Sequence, residues 1–440
     1  MADPTPSPDL PLSDKATDEV VELCRDLIRI DSSNPTSNER AAAEWTAERL
    51  DEAGLEPTIL EAAPGRASVV ARWAGEDSSR PGLLIHGHLD VVPANADDWQ
   101  VDPFSGEIQD DCIWGRGAVD MKDMDAMTLA VVRDWCREGR RPPRDVTLAF
   151  VADEEAGGLF GAHWLVANHP ELFEGCSEAI SEVGGFSVTL AGQRLYLIQI
   201  AEKGIDWLRL VAKGRAGHGS MLNDDNAVTA LARAVARVGD HRFPITMTPA
   251  VEECLRAVCD VLGVDFDPND VEGVLDRIGP MARMLGATVR HTANPTMMDA
   301  GYKHNVIPQS ATAAIDARFL PGLHDEFRAQ LAELVGDDAA IETITDDISY
   351  ETTFDGPLVD AMTAAVLAED ADARCVPYCL SGGTDAKSFS TLGMRCFGFS
   401  PLQLPADLDF TGMFHGVDER VPVSSLQWGT RVLARFLAAS

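Results

Sequence analysis

The chain has 440 residues, 36 basic and 71 acidic, for a formal charge of −35. That balance excludes nucleic acid and anionic membrane surfaces as partners, because both are held by a basic face. The length exceeds what one core usually organises, so two domains are expected, and no apolar run reaches the ~18 residues of a membrane span.

In chain order, residues 1 to about 12 are Pro-rich and read as disordered. They lack the basic start and apolar run of a signal peptide. A helix follows, with Val20, Val21, Leu23, Leu27 and Ile28 on one face, and a second, over about 41 to 53, stops at Gly54. Strand-like runs come at SVVARWAG, PGLLIHGHL and DVTLAFVAD, with an amphipathic helix over about 122 to 138 between the last two. Alternating strands and helices indicate an α/β fold whose sheet is layered by helices, with ligands at the carboxyl ends of the strands.

After LYLIQIAEKG the texture changes. A strand (IDWLRLVAKGR), a helix (NAVTALARAVARVGD), a strand (SATAAIDARFLPG), a helix (DEFRAQLAELVG) and a last strand near AIETITDDISYE follow. A βαββαβ unit of α+β type fits this order, with an extra helical insertion at about 245 to 290. From Gly356 the α/β texture returns and ends in a helix near 426 to 437. The first domain is therefore read as residues 1–203 and 352–440, with a second domain, 204–351, inserted between them. Nine cysteines are scattered, odd in number and without a Cys-x-x-Cys. They read as reduced cysteines of a cytoplasmic protein.

Metal-liganding side chains recur along the chain. They are His88 in HGHLDVVP, Asp120 in GRGAVDMKD, Glu154 and Glu155 in VADEEAGG, Glu182 in SEVGG and His415 in MFHGVDER. Imidazoles and carboxylates without a thiolate suit a hydrolytic zinc, cobalt or manganese site. Their number suffices for two metals sharing one carboxylate, an arrangement that activates water. Singly, most have ordinary explanations. His88 and Asp90 could mark a polar strand end, Asp120 a helix N-cap, His415 a loop. His86, on the same face as His88, reads as packing. The pair Glu154–Glu155 is different, because adjacent carboxylates repel unless a cation or proton intervenes. The sequence has no Gly-x-Ser-x-Gly elbow and no His-Glu-x-x-His, which disfavours a serine hydrolase and a one-zinc peptidase.

Taken in order, these motifs resemble the two-zinc amidohydrolases and exopeptidases that include aminoacylase, acetylornithine deacetylase, succinyl-diaminopimelate desuccinylase and carboxypeptidases G and S. The resemblance runs from the first helix to VDERVPV. It implies a three-layer catalytic domain with a central mixed sheet and a two-metal site, and an inserted lid and dimerisation domain. His88 and Glu182 would be terminal ligands of one metal, Glu155 and His415 of the other, with Asp120 as the bridge. Glu154 matches the general base, and Asp90 the carboxylate that orients His88. A cis Asp120–Met121 peptide is also implied. In the inserted domain, His218 in GRAGHGS resembles an oxyanion-stabilising histidine that acts across a homodimer. Asn305 in HNVIP and Arg318 in DARFLPG resemble residues that hold the substrate's carbonyl and carboxylate. Without the resemblance, His218 would be a turn histidine and Arg318 a solvated strand-edge charge. Gly382, Gly383 and Thr384 match a loop lining the substrate end. The implied activity is metal-dependent hydrolysis of an amide bond next to a free carboxylate, by a carboxypeptidase or dipeptidase. The alternative is an N-acyl-amino-acid deacylase. A catalytically silent metal- or peptide-binding scaffold is disfavoured, since every expected position is filled.

Overall fold

The computed structural model describes residues 11–34, 38–279 and 281–440. The start read as disordered lies, for residues 1–10, outside the described residues. Two compact units result. One runs to Ile200 and resumes over Thr352–Pro377 and Thr384–Ser440, and the other comprises Ala201–Glu351 and Tyr378–Gly383.

In the first unit, four parallel strands form the centre of a mixed sheet, in the order Val146–Val151, Gly82–His88, Cys176–Ser181 and Arg395–Gly398. Thr58–Ala63 and Arg66–Trp73 extend one side antiparallel, and Gln193–Glu202 extends the other. Gly82–His88 and Val146–Val151 are buried at every position. A sheet covered on both faces selects such unbroken apolar runs instead of alternation. The covering helices include Asp14–Ile28, Lys122–Arg137 and Val423–Ala439, which pack on one another. Asp14–Ile28 buries Val20, Val21, Leu23, Leu27 and Ile28, the stripe visible in its sequence.

The second unit is a four-stranded antiparallel sheet in the order Thr292–Ala300, Ser310–Phe319, Gly204–Lys213, Ala340–Asp347. Helices Ala227–Asp240 and His324–Val335 cover one face, burying Leu208, Leu210, Ile315 and Ala317 against Leu231, Val238, Phe327 and Leu331. Pro249–Leu262, Val271–Leu275 and Met281–Gly286 are the inserted helices. Thr292–Ala300 has no signature in the sequence, because its residues from Asn294 onward are exposed and do not alternate. Its Pro295 sits at a register shift on an edge strand, where a missing N–H is tolerated. Among the described residues, no helix is long and apolar enough to cross a membrane.

Candidate metal centre

Two devices gather the site. The first is the parallel sheet. His88 ends its strand, Glu154 and Glu155 open a 3₁₀ turn (Glu154–Ala156) just past Val151, and Glu182 directly follows Ser181. Neighbouring parallel strands release these side chains at one sheet edge. The second is a small antiparallel sheet of Glu107–Gln109, Cys112–Trp114 and Arg420–Pro422. Pairing of Trp114 with Arg420, continued by the Gly115 amide donating to the Glu419 carbonyl at 3.0 Å, draws the loops of Asp120 and His415 together. The Asp120–Met121 peptide is cis.

The six side chains converge. His88 Nε2 lies 3.1 Å from Asp120 Oδ1, 3.5 Å from Glu182 Oε2 and 4.0 Å from Glu154 Oε2. His415 Nε2 lies 2.9 Å from Glu155 Oε2 and 3.3 Å from Asp120 Oδ2. Asp120 thus presents one oxygen to each imidazole, as a bridging ligand must. His88 Nδ1 donates to the Asp90 carbonyl at 2.9 Å, which leaves the Nε2 lone pair free for a cation. Potential ligand atoms of His88, Asp120 and Glu155 lie within 4.8 Å of one another, as do those of His88, Glu154 and Glu182.

Burial, and then Glu182, push the Glu154 carboxyl well above its ordinary range, and burial raises Glu182 to about 7. For His415, hydrogen bonds to Asp120 and Glu155 raise the imidazole to about 10. So many buried carboxylates resist ionising together unless positive charge lies among them. The oxygen and imidazole donors, the bridging pose of Asp120 and this crowding all fit divalent metal ions.

The Asp90 carboxylate does not play the part read from the resemblance. Its Oδ1 is 3.8 Å from His88 Nδ1, and the backbone carbonyl makes that contact instead. The carboxylate oxygens accept the Glu154 and Glu155 amides at 3.1 and 3.0 Å. Two residues overlooked in the sequence behave similarly or lie close by. Buried Glu419 accepts the Gly117 and Val119 amides at 3.1 and 2.8 Å and pairs with Arg116 at 2.8 Å, so it frames the Asp120 loop. Its place in VDER, four residues after His415, was the available signal. Asp385 is buried beside Gly158, whose added Cβ would fall 2.9 Å from Asp385 Oδ1. Gly158 has φ +68°, so the second glycine of EEAGG is required twice over. Likewise a Cβ on Gly184 would fall 2.0 Å from the Gly398 carbonyl oxygen. Asp153, Val183 and His415 all have positive φ; for β-branched Val183, next to Glu182, this is a strained conformation of the kind that clusters at functional sites.

The remaining candidates belong to the second unit, apart from Thr384. His218 is exposed, on the two-residue strand Gly217–His218 that pairs with Val306–Ile307. The Ser220 amide donates to its Nδ1 at 3.2 Å, which leaves Nε2 as the N–H in the neutral ring. The Gly219 amide donates to the Asn305 carbonyl at 2.9 Å, so these two loops sit together. Arg318 lies on an interior strand, not at a sheet edge, and its fork holds Asp316 through Nε (2.7 Å) and Nη2 (3.2 Å). Gly382 and Gly383 follow the strand Arg374–Leu380, and the Thr384 hydroxyl accepts the Ala386 amide at 3.1 Å, just ahead of a short helix.

Fold and donor set together define a metal-dependent hydrolase of the α/β class. Residues 84–439 match the model of Peptidase family M20/M25/M40, and the chain belongs to that family. A Dictyostelium discoideum protein named "Probable carboxypeptidase S-like 2" is 29% identical over 399 residues, 81% of this chain and 71% of that one. Aminoacylase-1 of Sus scrofa is 28% identical over 435 residues, 95% of this chain and 94% of that one. The M20 family metallo-carboxypeptidase Sso-CP2 of Sulfolobus solfataricus has the same fold, with a TM-score of 0.74 at 18% identity, covering 96% of this chain and 99% of that one.

Proposed function

We propose that this hydrolase cleaves the amide bond next to a free carboxylate in a small substrate, as a carboxypeptidase or dipeptidase does. The observation that carries the reading is Asp120 between two imidazoles, with Glu154 beside one of them. When bound by His88 and Glu182, by Glu155 and His415, and by Asp120 between them, two divalent ions, zinc by default and cobalt or manganese otherwise, would polarise the scissile carbonyl and acidify a water. Glu154 accepts a proton from the attacking water and returns it to the departing nitrogen. The Nε2–H of His218 is the donor for the oxyanion. Arg318, once released from Asp316, clamps the substrate carboxylate, a task for a planar fork. Asn305 holds the carbonyl, and the loop of Gly382, Gly383 and Thr384 lines the far end.

A second reading, an N-acyl-amino-acid deacylase, is favoured by the similarity to aminoacylase-1 along nearly all of both chains. The deciding experiment strips the metal and restores zinc, cobalt or manganese in turn. Each form is then assayed on dipeptides and on N-acyl-amino acids. Turnover of dipeptides with little on acyl-amino acids supports the peptidase, the reverse supports the deacylase, and metal-independent turnover of either overturns the mechanism.

The second unit serves in this proposal as lid and as the pairing surface of a homodimer. The open edge strand Thr292–Ala300, with Met297 and Met298 exposed, supports pairing there, since a free edge invites another chain. A cytoplasmic location is supported by nine free cysteines.

A further inference from the structure

We propose that Asn34 and Arg66 are positioning residues for the Glu154–Glu155 turn, acting through Asp90 and Asp153. The proposal rests on Glu154 being the base and Glu155 a ligand.

The turn is gripped from two sides. On one, fully buried Asp90 accepts the consecutive amides of Glu154 and Glu155, which fixes where both side chains start. Its Oδ2 also takes the Asn34 side-chain amide at 2.5 Å. On the other, Asp153 holds the left-handed conformation that opens the turn, at φ 72°. Its Oδ2 accepts the Phe160 amide at 2.8 Å and its Oδ1 meets Arg66 Nη1 at 2.8 Å.

Arg66 and Asn34 join the two sides. Arg66 Nη1 donates to Asn34 Oδ1 at 2.6 Å and to Glu39 Oε1 at 2.5 Å. Asn34 therefore accepts from the guanidinium with its oxygen and donates to Asp90 with its nitrogen. An amide can do both, whereas a carboxylate there would face Asp90 with a like charge and an alkyl group would do neither. Asn34 is itself fixed by the backbone. Its amide donates to the Val91 carbonyl at 3.1 Å, and the Val91 amide to the Ser32 carbonyl at 3.2 Å. The segment thus runs alongside the chain that leaves His88.

Stability alone is a poor reason for this arrangement. Asn34, Glu39, Arg66, Asp90 and Asp153 are all buried. Burying charges costs desolvation that well-packed apolar side chains avoid. What the network provides is directional constraint, because a buried polar group that loses its partner is costly and so cannot drift. Its bonds end on Asp153 and on the amides of Glu154 and Glu155.

Asn34→Ala removes the tie to Asp90 and leaves both Arg66 ion pairs in place. In metal-replete full-length enzyme, kcat is expected to fall at least ~10-fold with KM within ~3-fold, because small misplacement of a reacting group is expensive in rate. In zinc titration of the metal-free protein, one of two equivalents should bind at least ~10-fold more weakly, through Glu155. Placed on Glu154→Gln, Asn34→Ala should cost no further kcat, as expected for residues acting as one unit. A folded Asn34→Ala protein with wild-type kcat and zinc binding overturns the proposal, as do losses that multiply in the double variant. If Glu154→Gln alone keeps full turnover, the reading of Glu154 as base has failed. The zinc titration then decides the positioning claim by itself. Should Asn34→Ala not fold, Arg66→Lys keeps the charge but not the branched reach, and unchanged kcat and zinc binding there also overturn the proposal.

Discussion

The metal centre and the His218–Asn305 patch are built in opposite ways. In the metal centre, side chains from five places in the sequence meet, with His88, Asp120 and Glu182 buried and His415 exposed at the rim, and buried carboxylates tie down the backbone of their loops. Asp90 holds the Glu154 and Glu155 amides, and Glu419 those of Gly117 and Val119. The patch is exposed; His218 bonds its near neighbour Ser220, and one backbone bond, from the Gly219 amide to the Asn305 carbonyl, joins its two loops. A buried, cross-linked site arrives preorganised, which is what charge stabilisation in a reaction requires. An exposed one has room to change partners, as a substrate-engaging surface requires.

If that contrast is right, substitutions in the two regions should fail differently. The largest effect belongs to the rigid side. Glu154→Gln should lower kcat at least ~10²-fold while keeping metal, since a general base supplies that much. Glu155→Gln should instead lose metal at one site, which elemental analysis of the purified proteins would reveal. Near wild-type turnover in Glu154→Gln would remove Glu154 from its role.

On the exposed side, His218→Ala should cost about 10- to 10²-fold in kcat, with full metal content, if it supplies one oxyanion donor. Mixing His218→Ala with Glu154→Gln sharpens the test. Should His218 act across a two-fold interface, random exchange restores up to about a quarter of wild-type activity. No recovery despite proven subunit exchange would place His218 in its own chain's site or outside catalysis. For Arg318→Lys we expect roughly a tenfold loss on substrates with a free carboxylate, because Lys cannot reproduce the fork. The corresponding amides should be poor for both proteins. Equal damage on acid and amide would leave Arg318 as the partner of Asp316 only.

The smallest effect is on stability and concerns His291. Burial, and then the charge of Lys203, lower its imidazole from 6.5 to about 4, and its Nδ1 accepts the Leu320 amide at 3.1 Å. Between those two pH values the unfolded chain binds a proton that the folded chain refuses. The stabilisation is therefore present in full above about pH 6.5 and is lost as the pH falls toward 4. At pH 5 this group should contribute about 2 kcal/mol less than at pH 7. His291→Gln, which cannot titrate, should flatten the fall in Tm between pH 7 and 5. An unchanged slope would show that other groups govern it.

How much was legible follows from burial. Strands covered on both faces announce themselves as apolar runs, as in VTLAFV and GLLIHGH, and amphipathic helices such as Asp14–Ile28 show their stripe. Thr292–Ala300 was silent because an exposed edge strand places few demands on its side chains. The same logic divides the site. The candidate metal ligands are all His, Asp or Glu, and each lies near the end of a strand or at a turn, so motif and position coincide. Asn34 and Arg66 act on other side chains, a task that leaves no spacing to recognise, and Glu419, which holds backbone amides, is marked only by its place four residues after His415.

By itself, the sequence determined the chemistry available and its order along the chain: imidazoles and carboxylates without thiolates, glycines where left-handed turns or close approaches need them, and alternating strands and helices. Tertiary structure alone decided which atom meets which. That Asp120 turns one oxygen to His88 and the other to His415 depends on Trp114 pairing with Arg420. That the Asp90 carboxylate serves two amides while its carbonyl serves His88 depends on where the parallel strands end. The physical reason is that these contacts join segments far apart in the chain. Their geometry is set by sheet register and long-range hydrogen bonds, which no local pattern of residues encodes.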